Sequence, residues 1–168
     1  MPPGAYHVGR KSTACTNGPG TARAAHPAWT PPVFITNTCA SKLFSGPAGP
    51  AADGVYTANT LLDSNDPKNA TVPAVKAFLD AYAAAGLAGD PGVNGAGWGC
   101  GASTVAILNS ALKPGTLSRK TIIEAARNLT YTPSLARPKV QYKMNGSTDP
   151  FAFQTLQVLQ WSVASQTF

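Results

Sequence analysis

The sequence predicts an α/β fold in which strand and helix alternate and an antiparallel hairpin closes the chain. Three observations carry this reading. Val33-Phe34-Ile35 is a short apolar run, β-branched and aromatic, that suits a strand buried on both faces of a parallel sheet. Val75, Phe78, Leu79 and Tyr82, and then Ala102, Val105, Leu108 and Leu112, recur at helical spacing. Asn145-Gly146 is a strong hairpin signal, and it precedes a stretch from Phe151 to Val163 whose apolar and polar positions partly alternate. That order of elements places helices around a mostly parallel sheet with an antiparallel ending.

Length and composition narrow the classes. A chain of 168 residues with 43% hydrophobic content can bury one sizeable core. Only 12% of residues are charged, and Gly 16 with Pro 15 signals a high loop content. The net charge of +6 is uneven, because no acid precedes Asp53 while Arg10, Lys11, Arg23 and Lys42 do. No basic stripe with aromatic partners occurs, so a nucleic-acid partner is not expected. No run approaches the roughly 18 apolar residues of a membrane span. Residues 1–30 hold no apolar core of the kind a signal peptide needs, so the chain as written is expected to stay in the cytoplasm.

Taken in order, residues 1–28 are a Gly/Pro/Ala/Thr-rich basic tract without hydrophobic periodicity, expected to be disordered. After Val33–Ile35 comes Thr36-Asn37-Thr38-Cys39-Ala40-Ser41, which offers hydroxyls, an amide and a thiol but no charge. Ligands of open α/β sheets bind beyond the carboxyl ends of strands, so this turn is the first place to look for a site. An ordinary strand-to-helix turn with a polar cap is the plain alternative. Gly46-Pro47 and Gly49-Pro50 break the chain before a second strand over Gly54 to Thr60. Thr71 is expected to cap a helix with Pro73 in its first turn, and Gly86 to stop it.

Gly89 to Gly101 reads as a glycine-dense loop that contains Trp98 and leads into a helix from Ala102 to Leu112, ended by Pro114-Gly115. It lacks a Gly-Lys-Ser/Thr ending, and the Gly-x-Gly-x-x-Gly register fails at Cys100, so a phosphate site is not expected. Ser118 caps a further helix whose apolar side is Ile122, Ile123, Ala126 and Leu129, and Val140 to Met144 is a candidate strand.

The residues offer little chemistry. Cys15, Cys39 and Cys100 are an odd count without metal-ligand spacing. His7 and His26 both lie in the first tract, so no base is placed beside a packed cysteine. Cys39 and Cys100 read as small buried residues. One disulfide is open to an exported chain, and the sequence does not choose its pair. No metal or cofactor is expected from these features, and a protein that is not an enzyme is favoured. A small cysteine-dependent enzyme using Cys39 or Cys100 is the alternative.

From Trp29 to its end the chain resembles the C-terminal part of the branched-chain amino-acid type of periplasmic binding protein, the type I solute-binding subunit of ABC importers. The stretches that carry the resemblance are Pro32 to Ser41, Ala52 to Thr57, Gly97-Trp98 opening an apolar helix, Thr116 to Ala126, and the strand pair around Tyr142 to Gly146. The resemblance implies part of a two-lobed type I periplasmic-binding-protein fold with a C-terminal β-hairpin. Residues 29–168 would be its C-terminal portion, with the N-terminal half missing, and 1–28 a disordered tail. The implied function is the substrate-binding component of an ABC importer for a small polar solute, an amino acid or amide. Implied partners are that solute and ABC permease subunits, at an extracytoplasmic location for the parent family.

The resemblance also implies ligand-binding positions. Asn37, Thr38 and Cys39 fall at a strand end of the second lobe, and Gly97 and Trp98 at a helix start of the first, with Trp98 covering the solute's apolar part. Members that bind amino acids often carry an acidic residue where Thr38 stands, which counts against an α-amino-acid ligand. Without its complement the chain is expected to self-associate through exposed edges around Val105 and Leu108, and a nonfunctional fragment is the alternative to a working receptor.

Overall fold

The computed structural model describes residues 4–9, 12–28, 30–113 and 115–168. Arg10, Lys11, Trp29 and Pro114, on which expectations above fall, lie outside the described residues. The chain forms two compact units. The first comprises the described residues up to Asn59 together with Gln157–Phe168, and the second comprises Thr60–Leu156.

The first unit is built on strands β1 (Tyr6–Val8), β2 (Val33–Ile35), β3 (Tyr56–Asn59) and β6 (Gln157–Gln160), ordered β1-β2-β3-β6. The pairings run parallel from β1 through β2 to β3, and β6 joins β3 antiparallel. Helix α1 (Ser12–Ala25) is the crossover between β1 and β2, which makes a βαβ unit.

For the described residues 4–9 and 12–28, this corrects the expectation that the tract 1–28 is disordered. The tract has no helical periodicity of its own, and α1 even contains Pro19. Its order comes from long-range ties instead. Cys15 is bonded to Cys39, Thr16 Oγ1 donates to the Phe44 carbonyl at 3.0 Å, and Arg23 donates to the Asp53 carbonyl at 3.1 Å. Backbone bonds from Tyr6 N–H to Pro32 and from Thr36 N–H to Val8 fix β1 beside β2. Gly18 permits α1 to lie close against Val8.

The core of this unit gathers Val8, Cys15, Val33, Ile35, Cys39, Ala52, Val55 and Trp161, on the α1 side of the sheet. The ring of Trp161 packs on Phe168 with centroids 5.0 Å apart. The other side differs from the expectation for β2. Phe34 alternates away from Val33 and Ile35, remains 39% exposed, and stacks on Tyr56 at 5.4 Å. The strand is therefore buried on one face only.

The second unit holds α3 after the short helix α2 (Lys42–Ser45) of the first unit; α3 spans Pro73–Ala84, α4 Pro91–Leu112 and α5 Arg119–Arg127. A two-stranded sheet pairs β4 (Thr130–Tyr131) with β5 (Tyr142–Lys143), antiparallel. Its core is Val75, Phe78 and Leu135, flanked by Leu61, Leu62, Leu79 and Tyr82. Helix α3 follows the predicted face, but its cap is Val72, not Thr71, because Pro73 already occupies the first helical position. Gly86 ends it at φ +63°. Ser118 caps α5 as expected, in a reciprocal capping box with Thr121.

Helix α4 corrects the glycine-loop reading. Asp90 Oδ1 accepts the Gly92 N–H at 2.7 Å and Pro91 takes the first helical position, so the helix starts eleven residues before Ala102. The antiparallel return around Asn145-Gly146 is present as bridges between Asn145 and Asp149 and between Tyr142 and Phe153. Beyond it the chain re-enters the first unit, where β6 pairs with β3 from Asn59↔Gln157 to Tyr56↔Gln160.

Candidate functional site

Because β1, β2 and β3 are parallel, their carboxyl ends share one edge of the first unit's sheet. At that edge β2 runs into a 3₁₀ turn, Asn37–Cys39. Cys39 N–H bonds the Thr36 carbonyl at 2.9 Å and Ala40 N–H bonds the Asn37 carbonyl at 3.0 Å, which closes the turn. The turn has its own hydroxyl network. Thr38 Oγ1 donates to Thr36 Oγ1 at 3.5 Å, and Thr36 Oγ1 donates to the Asn37 side-chain oxygen at 3.3 Å. Ser41 Oγ accepts the Leu43 N–H at 3.0 Å and so starts α2 directly after the turn.

Asn37 and Thr38 are exposed, so their amide and hydroxyl are presented to solvent at the carboxyl edge. Cys39 is not. It is fully buried and bonded to Cys15, so its sulfur has no free valence for a ligand. The assignment of Cys39 to the ligand-binding set is corrected accordingly, and the same bond removes it as a nucleophile. Cys100, read from sequence as a small buried residue, is instead a free and exposed thiol on α4. Among the described residues no group of three or more His, Cys, Asp or Glu side chains is arranged to hold a metal ion.

Two residues of this edge were missed from sequence. Asn59 ends β3 and is paired in register with Gln157, the first residue of β6. The predicted strand over Gly54 to Thr60 already contained Asn59, and its polar side chain near the carboxyl end of that strand was the available signal. This pair also marks where the chain leaves the first unit and where it returns.

The remaining candidates belong to the second unit. Gly97 and Trp98 sit about two turns into α4, not at its start. Gly97 is exposed, and space beyond its α-carbon is open. Trp98 is 40% exposed and its ring meets Phe78 edge-on, with centroids 5.6 Å apart and planes inclined by 63°. Its indole N–H donates to Ser134 Oγ at 3.3 Å. One flank of the indole is thus held by the unit's core, and the rest is open to solvent.

Near the start of α4 lies a polar cluster. Asp63 Oδ1 accepts the Asn65 N–H at 2.9 Å, and the Asn65 amide donates to Asp90 Oδ1 at 2.6 Å. Burial pushes the Asp63 carboxyl above its ordinary value; the Asn65 N–H opposes this, and the charges of Asp90 and Asp66 add to it. Burial lowers the pKa of Arg137, whose Nε–H donates to the Leu61 carbonyl at 2.8 Å, and the charges of Asp63 and Asp66 oppose that shift.

The fatty acid ABC transporter substrate-binding protein from Thermomonospora curvata superposes with a TM-score of 0.70 at 20% identity, covering 96% of this chain and 40% of that one. The fold is that of part of a type I periplasmic binding protein. A branched chain amino acid ABC transporter protein from Thermus thermophilus with bound valine gives a TM-score of 0.69 at 13% identity, over 95% of this chain and 44% of that one. A leucine binding protein from Thermotoga maritima gives 0.65 at 15% identity, over 95% and 42%. The chain therefore spans less than half the length of these solved proteins. No family model matches the sequence, and no curated protein matches it by sequence.

Proposed function

We propose that the chain is part of the substrate-binding component of an ABC importer and performs no chemistry. The observation that carries this reading is the likeness of nearly the whole chain to several solute-binding proteins of such transporters. The carboxyl edge of the first unit supports it. There Asn37 and Thr38 present an amide and a hydroxyl without charge, which suits a small polar solute such as an amide or amino acid. Trp98 supplies a flat apolar surface on the second unit.

The location we infer is extracytoplasmic, with permease subunits as partners. A disulfide persists in oxidising compartments, and Cys15–Cys39 fits that setting. Among the described residues no helix is long and apolar enough to cross a membrane.

The test is a nuclear magnetic resonance titration of the 168-residue chain with valine, glutamine, acetamide and a medium-chain fatty acid. The expected result is saturable shifts at Asn37 and Thr38 with one of the polar solutes, at a Kd of about 1 mM or weaker, since the wall formed by one turn excludes little water. Saturable shifts confined to residues away from both Thr38 and Trp98 would overturn the reading, as would no response to any of the four.

A further inference from the structure

We infer that α4 is a contact surface for a second copy of this chain, paired with it antiparallel about a two-fold axis near Gly101. This goes beyond the proposed function and holds whether or not the chain takes a solute.

Helix α4 runs for 22 residues, Pro91–Leu112, without one charged side chain. A surface helix ordinarily carries charged and polar residues on the face turned away from its core. On α4 that face is small or apolar. Asn94, Gly97, Gly101, Val105, Leu108 and Leu112 follow one another at intervals of three or four, which sets them on one stripe. Leu108 is half-buried and the other five are exposed, Val105 at 57% and Leu112 at 49%. Gly95, off this stripe, is the residue buried beside Leu135 of the unit's core.

Two features match the stripe to a copy of itself. Its first half is small, with open space beyond the α-carbons of Gly97 and Gly101, and its second half is large. Antiparallel pairing centred near Gly101 sets Val105 of each copy over the second copy's Gly97, whereas parallel pairing crowds the large halves together. The ends also complement one another. Asp90 caps the start of α4 and Lys113 follows its last residue. An antiparallel pair brings Asp90 of each copy towards the second copy's Lys113 and sets the two helix macrodipoles head to tail. A parallel pair sets like charges side by side.

Size fits a weak dimer. A helix of this length is about 33 Å long and 10–12 Å wide, a face of about 350 Å² per copy. The pair then buries roughly 700 Å², within the class of weak and transient associations below about 1,200 Å². A lipid surface suits the stripe less well, because helices that lie on membranes carry Lys and Arg along their polar face and α4 has neither.

The test uses the full 168-residue chain with Cys100→Ser, which prevents a covalent dimer through the free, exposed thiol. Sedimentation equilibrium, without solute or reductant, is expected to show monomer–dimer exchange with a Kd of about 50 µM. Val105→Glu and Leu112→Glu each put a charge into the stripe and should weaken the dimer about tenfold or more, with circular dichroism unchanged. Lys113→Glu should weaken it about threefold, since it then faces the second copy's Asp90. Phe151→Glu, at an exposed position of the same unit outside α4, should leave it unchanged. A monomer at every concentration up to about 1 mM would overturn the inference. So would a dimer indifferent to Val105→Glu and Leu112→Glu, or one that Phe151→Glu dissociates. Co-sedimentation of the chain with phosphatidylcholine vesicles, lost in Val105→Glu, would assign the stripe to a lipid surface instead. Because no solute is present, these outcomes are independent of the titration at Thr38.

Discussion

The bond between Cys15 and Cys39 joins the first turn of α1 to the turn that presents Asn37 and Thr38. It closes a loop of 24 residues between a helix of weak intrinsic propensity and the carboxyl edge of the sheet. Reduction, or Cys15→Ser with Cys39→Ser, should lower stability by roughly 3 kcal/mol through the entropy returned to the unfolded chain. Urea unfolding with and without reductant measures this. The amides of β1 should lose hydrogen-exchange protection first, because Tyr6–Val8 is an edge strand held through α1. Equal stability of the oxidised and reduced chains would show that packing alone orders α1.

The tract that this bond organises is the part of the fold least legible in the sequence. Strand β2 and the cap of α5 were readable because their signals are local: a β-branched run after two prolines, and a serine one position before the helix. Strand β1 and α1 have no such signal. Tyr-His-Val gains its place by pairing with β2, and Ser12–Ala25 gains its order from a covalent partner 24 residues away. Helix α4 was half legible. Its glycines, costly in a helix interior, obscured the Asp90-Pro91 start. Of the candidate site, the sequence placed Asn37 and Thr38 just beyond a strand end, and the structure has them exposed there. Cys39 did not survive, since one residue cannot both carry a structural disulfide and offer a thiol. That β6 belongs to β3 was invisible, because alternation identifies a strand without naming its neighbour.

Trp98 links packing to the proposed site. Trp98→Phe retains a ring against Phe78 but loses the donor to Ser134, and should cost about 1 kcal/mol or less of stability. Trp98→Ala removes both contacts from a side chain that is already 40% exposed, and should cost about 2 kcal/mol. If the exposed flank covers a solute, Trp98→Ala also weakens binding about tenfold while Trp98→Phe largely preserves it. Denaturation and titration of the same two variants separate these roles. Identical binding by both variants and the wild type would make Trp98 a packing residue only.

Gly97 and Gly99 lie inside α4 with open space where a β-carbon would stand. Nothing in the packing requires glycine there, so Gly97→Ala and Gly99→Ala should each raise stability by about 0.5–1 kcal/mol. Thermal unfolding checks this directly. The two positions then diverge in binding: a methyl at Gly97, beside Trp98, should obstruct a solute that approaches the helix backbone, whereas Gly99→Ala should be silent. A loss of stability in both variants would mean that another surface packs on this side of α4.

Asp63 carries the pH dependence. Its side chain is 8% exposed, Oδ1 accepts the Asn65 N–H, and Oδ2 is buried with no hydrogen-bond partner among the described residues. Burial is the largest cause of its raised pKa, with Asp90 and Asp66 adding like charge. The folded state therefore holds the Asp63 proton more tightly than the unfolded state does. The stability this provides is fully present below the ordinary value of 3.8 and is lost as pH rises through the raised folded pKa. The substitution Asp63→Asn replaces the carboxyl by an amide that does not ionise and keeps the Oδ1 acceptor. The stability of wild type minus that of Asp63→Asn should thus fall as pH is raised from about 3.5 towards 7, a window set by the upward shift. Parallel urea titrations across that range supply the difference, in which carboxylates not coupled to Asp63 cancel. A difference that rises with pH would mean that the ionised Asp63 is held by the Arg137 guanidinium more strongly than burial disfavours it.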